Sequence, residues 1–463
     1  MKRRTLLAFL VLLIGAFAFA AVGCGGDDDD GDVAGTEATE DGEDLGLAPV
    51  EELPSASCTA IEYEGEGDPD ILIASDLPLQ GSSRTQTLQM VGAIRQVLES
   101  NEWKAGDVNV GYQSCDDSTA QAGKWDPGKT SQNANAYAEN QSVLGMIGTF
   151  NSGAAAIAIP VLNQAPGGGL AMISPANTYV CLTEGGPGCA DDEPDKYYPA
   201  GTRNYVRVVA HDAFQGAALA EFMQAQGTTS VYILNDKEAY GLGVATNTRN
   251  AAEHLGIEVV GFEAWDPKAS NYEALMRKIS QSGADAVFLG GLIDENGAQV
   301  IKDKVKVLGP NDGDVKLYAP DGFTAQQTID ESGVENTRGA FFSVAGVPAD
   351  EFTGRGAEFV EEFQEVLGDE PIDPYAVYGA QATQIMLDAI AASDYTRAGV
   401  IEAMFDVTVE DGFLGSFSFS ENGDPELASG AVVGFSIFRG EEELEVETVL
   451  SPQAENVEAA KGT

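Results

Sequence analysis

The residues able to do chemistry in this chain sit in short polar loops. These read Asp76-Leu-Pro-Leu-Gln-Gly81, Gly148-Thr-Phe-Asn-Ser-Gly153, Ile173-Ser-Pro-Ala-Asn-Thr178, Asn235-Asp-Lys-Glu-Ala-Tyr-Gly241 and Ala319-Pro-Asp-Gly322. Hydroxyls such as those of Ser152 and Thr178, helped by backbone N–H groups, can satisfy a small anion without bringing a full positive charge. Each candidate also has a plain structural reading. Ser152 can cap a helix, Thr178 and Asp321-Gly322 can serve turns, and Tyr240 can cover a helix start.

Covalent catalysis finds little support. The chain has only two histidines, His211 and His254, and no HExxH, CxxC, GxSxG or Walker-type phosphate loop. A hydrolase would need a base beside Ser152 or Cys115, and neither histidine is placed for that, so no enzyme activity, cofactor or metal site is expected. The run Asp27 to Asp30 lacks the glycine and the closing glutamate of a calcium loop. With 25 Lys+Arg against 74 Asp+Glu, a net charge of −49, the chain is no partner for nucleic acid, whose phosphates need clustered bases. An acidic, solvated surface is the simpler account of that charge, since screening at physiological salt limits such fields to about 8 Å.

Lys2, Arg3 and Arg4 precede an apolar stretch from Leu6 to Val22 that ends in Ala21-Val22-Gly23-Cys24. This is an export signal, and the cysteine after small residues resembles a bacterial lipobox that would place a lipid on Cys24. Residues 1–23 then form the signal peptide. Residues 24–57 form an acidic disordered tether, because its carboxylates repel and almost nothing apolar offsets the ordering entropy. The chain is expected to be exported and lipid-anchored on the outer face of the cytoplasmic membrane. Four cysteines remain in that oxidising compartment. Cys181 and Cys189 flank a turn-rich excursion and favour a local bridge, worth about 2.5 kcal/mol at most in the chain-entropy model. That leaves Cys58 and Cys115, and the residues after Cys58 can span up to about 40 Å, enough for these two to meet.

The loops must be positioned by alternating strands and helices. Asp70 to Ser75 is an apolar run of the buried parallel kind, followed by Leu88, Val91, Ile94 and Leu98 at helical spacing. Strands near 108–112, 143–147 and 170–173 alternate with helices. After Tyr205 to Val209 the pattern restarts, with strands near 231–234, 258–261, 286–290, 315–318 and 340–344. The fold class expected is α/β: two doubly wound, mostly parallel-sheet lobes joined by a multi-strand hinge. The first lobe takes 58–205 and 346–428, the second 206–345 and 429–450, and 451–463 is a polar tail. Ligands of such sheets sit beyond the carboxyl ends of the strands, where the polar loops lie.

In this order and spacing the loops, together with the lipobox, resemble a branched-chain-amino-acid-type (Leu/Ile/Val-binding protein-like) solute-binding protein of an ABC importer, with the periplasmic-binding-protein-like type I fold. The resemblance runs from about Asp70 to Phe438. It implies that Ser152 and Thr178 grip a ligand carboxylate, Asp321 meets its ammonium, and Tyr240 covers it as the cleft shuts. Gln80 and the segment Gly290-Gly291-Leu292 would line the side-chain end, with Tyr375 and Tyr378 as further candidates. The chain departs from the pattern in carrying Asp321 for glutamate, Asn177 for a small residue, and Asn151 for the usual disulfide partner of Cys115. The resemblance therefore implies capture of an amino acid, or a related small polar solute, by lobe closure, and delivery to ABC permease subunits by a lipid-anchored monomer. The alternatives are a ligand-sensing module for signalling and a binder of amides, urea or aromatic acids.

Overall fold

Ile71–Leu77 (β1) opens with the apolar run Ile71 to Ala74 and is buried at every residue, Ser75 and Asp76 included, which requires cover on both faces of its sheet. Helices supply that cover in the chain's order. The structure, a computed structural model, describes residues 45–324, 326–427 and 434–462, and the Cys24 lipobox lies outside them. After β1 come α1 (Arg84–Ser100), a short edge strand β2 (Lys104–Ala105), β3 (Val108–Asp116) and a small hairpin of β4 (Ser118–Thr119) and β5 (Lys124–Trp125). Asp126 then caps α2 (Pro127–Glu139), its carboxylate accepting from Lys129 N at 2.9 Å, with Pro127 pre-set for the first turn. Next follow β6 (Val143–Gly148), α3 (Ser152–Asn163), β7 (Ala171–Ser174) and β8 (Tyr205–Arg207). The strands lie in the order β2-β3-β1-β6-β7-β8, parallel apart from β2.

The second lobe repeats the scheme with α4 (Asp212–Ala225), β9 (Ser230–Asn235), α5 (Ala239–His254), β10 (Glu258–Ala264), α6 (Glu273–Ser282), β11 (Ala286–Gly290), α7 (Gly297–Leu308), β12 (Lys316–Ala319), short α8 (Gln326–Ser332) and α9 (Val334–Thr337), and β13 (Phe341–Ala345). The chain returns to the first lobe with α10 (Arg355–Leu367), α11 (Pro374–Ala392), which packs on α1, α12 (Arg397–Asp406), and a three-stranded sheet of β14 (Thr408–Gly412), β15 (Gly415–Phe419) and β16 (Pro425–Leu427). It then adds β17 (Phe435–Gly440) and β18 (Leu444–Leu450), antiparallel, to the second sheet, giving β10-β9-β11-β12-β13-β17-β18. In both lobes the first long strand is flanked by the second on one side and the third on the other. That arrangement opens a crevice beyond the carboxyl ends of β1 and β6, and of β9 and β11.

Both ends of the described chain differ from expectation. The disordered tether was expected to run to residue 57, yet residues from Leu45 on are placed, and Leu53 is buried with its N–H on Gln113 Oε1 at 2.7 Å. Residues 57–62 run antiparallel along the outer edge of β3, with Thr59 N to Ser114 O at 2.9 Å and Glu62 N to Tyr112 O at 2.8 Å. This cover removes an exposed strand edge, and the Cys58–Cys115 disulfide pins it. The expected polar tail folds instead as α13 (Ala454–Lys461), whose buried Val457 and Ala460 pack against α4 and α5. Its apolar positions are too few for the sequence pattern to announce them.

His211 sits at the crossing from β8 into α4 and caps that helix, Nδ1 accepting from Ala213 N at 3.3 Å. Burial pushes its imidazole down to about 4, against the opposing pull of Asp424 and Glu184 and with help from Arg207 and Lys461. The folded protein thus keeps His211 neutral where the unfolded chain binds a proton. Its contribution is complete above about pH 6.5 and is lost as pH falls toward 4, a change of up to about 3 kcal/mol. His211→Asn keeps a good cap and should flatten the loss of stability between those limits. Urea unfolding at pH 7 and pH 4.5 checks this, and equal pH slopes for the two proteins would contradict it.

Candidate functional site

The loop after β6 leads directly into α3, so Ser152 begins that helix. Its Oγ accepts from Tyr179 N at 3.3 Å, which ties the α3 start to the loop after β7 carrying Thr178. Both hydroxyl residues are buried and line one cleft with Phe150, Ala176, Ser82, Ser83 and Trp125. Gly153 has no room for a side chain, since a Cβ there would come within 2.7 Å of the Trp125 ring. The other wall comes from the second lobe: Glu238 and Tyr240 at the start of α5, Leu292 to Asp294 after β11, and Asp321-Gly322 after β12. A side chain at Gly322 would run into the Gly291 carbonyl and the Tyr240 ring, so this glycine lets Tyr240 lie close to Asp321.

Asp321 is the electrostatic centre. Burial raises its carboxyl above the usual range, opposed by hydrogen bonds from Tyr240, Tyr375 and Gln215. Tyr240 Oη donates to Oδ1 in a very short bond, and Tyr375 Oη donates to Oδ2 at 2.6 Å. Tyr240 belongs to the second lobe and Tyr375, on α11, to the first, so the carboxylate joins the jaws. Further bridges cross the cleft. Asp294 accepts from Ser82 N and Ser83 Oγ, each at 3.1 Å, just ahead of α1, whose own Ser83 makes no side-chain cap bond. Ser82 Oγ donates to Glu331 at 2.8 Å, and Lys124 pairs closely with Glu295 and at 3.6 Å with Glu238. Burial raises the Asp294 carboxyl as well, even though the two serines hold it down.

Of the residues expected at the site, Ser152, Thr178, Tyr240 and Asp321 converge on the cleft, and Leu292 lines it. Gln80 is placed elsewhere: its amide donates to Asp116 Oδ2 at 2.8 Å, and Ser82 and Ser83 occupy that part of the wall. Asn177 is fully buried behind the loop, donating to the Thr149 and Phe150 carbonyls at 2.9 and 3.0 Å and accepting from Tyr205. It braces the loop from within. Tyr378 lines a separate cavity on the hinge side together with His211 and Phe413. Sequence reasoning did not single out Trp125, Phe150, Ser82, Ser83 or Asp294. One of three tryptophans, set immediately before the Asp126-Pro127 helix start, was the available signal for Trp125.

Cys115 is bonded to Cys58, and no histidine or lysine is among the residues lining the cleft with Ser152. Cys181 and Cys189 form the expected local disulfide. With Glu193 they are the one grouping of metal-ligating atoms among the described residues, but their sulfurs are committed to each other. No helix among the described residues is long and apolar enough to cross a membrane.

A model of the periplasmic binding protein family matches residues 71–432. Leu/Ile/Val-binding protein homolog 1 of Brucella suis is 26% identical over 380 residues, covering 80% of this chain and 92% of that protein. Among solved structures, the leucine binding protein LivK of Thermotoga maritima superposes with a TM-score of 0.69 at 22% identity, covering 82% of this chain and 99% of that one. A solute binding protein of R. palustris in complex with benzoate gives a TM-score of 0.63 at 18% identity, over 82% and 96%. At these identities the superpositions speak for the fold.

Proposed function

Because the chain belongs to the periplasmic binding protein family, we propose that it is the extracytoplasmic solute-binding component of an ABC importer and captures an amino acid. The observation that carries this reading is Asp321: a half-buried residue whose carboxylate is held by tyrosines from both jaws, in one cleft with the hydroxyls of Ser152 and Thr178. An amino acid brings an ammonium for the acid and a carboxylate for hydroxyl and amide donors. Trp125, Phe150, Ala176 and Leu292 offer apolar surface to an aliphatic side chain.

Closure follows from differential affinity. A guest touching both walls stabilises the arrangement in which they meet, and the permease would read that shape. Lipid on Cys24 would keep a monomer at the membrane beside its transporter. An aromatic acid is the second reading, favoured by the benzoate-bound neighbour and by the rings of Trp125 and Phe150. It leaves Asp321 and Asp294 without a cation while adding another anion, so we place it behind.

Thermal unfolding against a panel of amino acids, amides and benzoate tests the proposal. An amino-acid ligand at a hundred times its dissociation constant adds about 2.7 kcal/mol of stability and raises Tm. If no amino acid shifts Tm while benzoate does, the aromatic-acid reading replaces this one.

A further inference from the structure

Tyr378 of α11 is more than nine-tenths buried, yet its hydroxyl has no hydrogen-bond partner among the described residues. Such a group is costly to leave alone. Burial alone pushes its phenol up, so the oxygen stays a neutral hydroxyl, able to donate and to accept. It lines a cavity of about 580 Å³ on the hinge side, whose walls come from both lobes. Phe352, Phe413 and Phe417 join Tyr378 from the first lobe, and Phe214 of α4 faces them from the second. That size, with rings and a few polar groups on the walls, is the usual form of a small-molecule site. Rings that face open space forgo dispersion contacts which a guest of matching shape restores.

The charges on the lining select the guest. Its inner acids are already answered, Asp424 accepting from Arg207 at 2.6 Å and Glu184 from Lys461 at 2.9 Å. The second pair also commits Lys461, and burial keeps His211 neutral, so neither offers a free positive charge to an anion. Glu351, Asp411 and Glu426, also on the lining, are exposed and enter no ion pair among the described residues. Arg355 lies over the Phe413 ring at 4.7 Å, a contact in which an aromatic face takes a positive group. Aromatic walls and an unpaired acidic rim together favour a positive charge on an apolar body and disfavour a carboxylate.

We propose that this hinge-side cavity is a second ligand site, separate from the cleft, and that its guest is a hydrophobic amine: a positive charge answered by the carboxylates of Glu351, Asp411 and Glu426, on an apolar body held among the rings. The Tyr378 hydroxyl gives that guest a fixed polar contact. The inference does not depend on what the cleft binds.

Calorimetry at pH 7 with 4-phenylbutylamine, 4-phenylbutan-1-ol and 4-phenylbutanoate keeps the body and changes the charge. The amine should bind about tenfold more tightly than the alcohol, and the carboxylate should bind most weakly. Glu351→Gln, Asp411→Asn and Glu426→Gln combined should reduce the preference for the amine about fivefold. Tyr378→Phe should weaken the amine by a similar factor. The cleft is acidic too, so Val347→Trp, which fills the cavity from its own lining, locates the guest and should abolish amine binding. Amine affinity that survives Val347→Trp overturns the inference, because the amine then sits elsewhere. Equal affinities for amine and alcohol, a preference for the carboxylate, or no saturable binding of any of the three overturn it as well. If circular dichroism shows that Val347→Trp does not fold, Thr353→Trp at the exposed rim is read in the same way.

Discussion

Asp321→Ala should weaken an amino-acid ligand by about 3–5 kcal/mol, or about a hundredfold to a few thousandfold in Kd. The substitution does two things at once. It strips the ligand's ammonium of a desolvated counter-charge, and it leaves the hydroxyls of Tyr240 and Tyr375 without their shared acceptor. Tyr375→Phe separates the contributions, because it breaks the link between the jaws and keeps the acid. That variant should lose only about 1 kcal/mol, the net worth of one ordinary hydrogen bond. Calorimetry on both variants decides: unchanged affinity in Asp321→Ala would remove this residue from the site. Equal losses in the two would mean that Asp321 serves closure rather than the guest.

Arg207→Ala should lower the unfolding free energy by about 3–5 kcal/mol at neutral pH, because it leaves Asp424 buried and uncompensated. Burial works to raise the Asp424 carboxyl, and the Arg207 charge overrides it, so the group lies below its usual value. A carboxyl depressed in the folded state contributes stability above its unfolded value and loses it as pH falls through the folded one. The deficit of the variant should therefore be full above about pH 4 and shrink below it. Urea unfolding at pH 7 and pH 3 reads this directly, and a deficit independent of pH would contradict the ion pair as its source. The same arginine donates to the Asn177 and Tyr179 carbonyls on either side of Thr178. Affinity should fall with stability, because the loop that presents Thr178 loses its backing.

Much of the architecture was legible because it rests on local pattern. The apolar runs of β1, β6 and β11 and the spacing of Met276 and Ile279 on α6 mark buried elements whatever surrounds them. β18 was not foreseen, since its residues are half-buried or exposed and alternate with glutamates. Its place comes from pairing with β17, a long-range contact that no local pattern announces.

The sequence by itself determined that the chain alternates strands and helices in two rounds, and that Ser152, Thr178, Tyr240 and Asp321 lie in segments that follow strands, on the rim where ligands of open sheets lie. Strand ends and turn chemistry are properties of neighbouring residues, so a linear reading reaches them. The tertiary structure decided which polar groups face the cleft and which serve the scaffold. Gln80 and Asn177 are as polar as Thr178, yet Asp116 and the Thr149 carbonyl claim them, while Asp294 reaches across to the α1 start from just beyond the Gly290-Gly291-Leu292 segment. A buried polar side chain takes whichever partner folding brings within about 3 Å. That choice is made between segments hundreds of residues apart in the chain, such as Ser82 and Asp294, where sequence spacing carries no information.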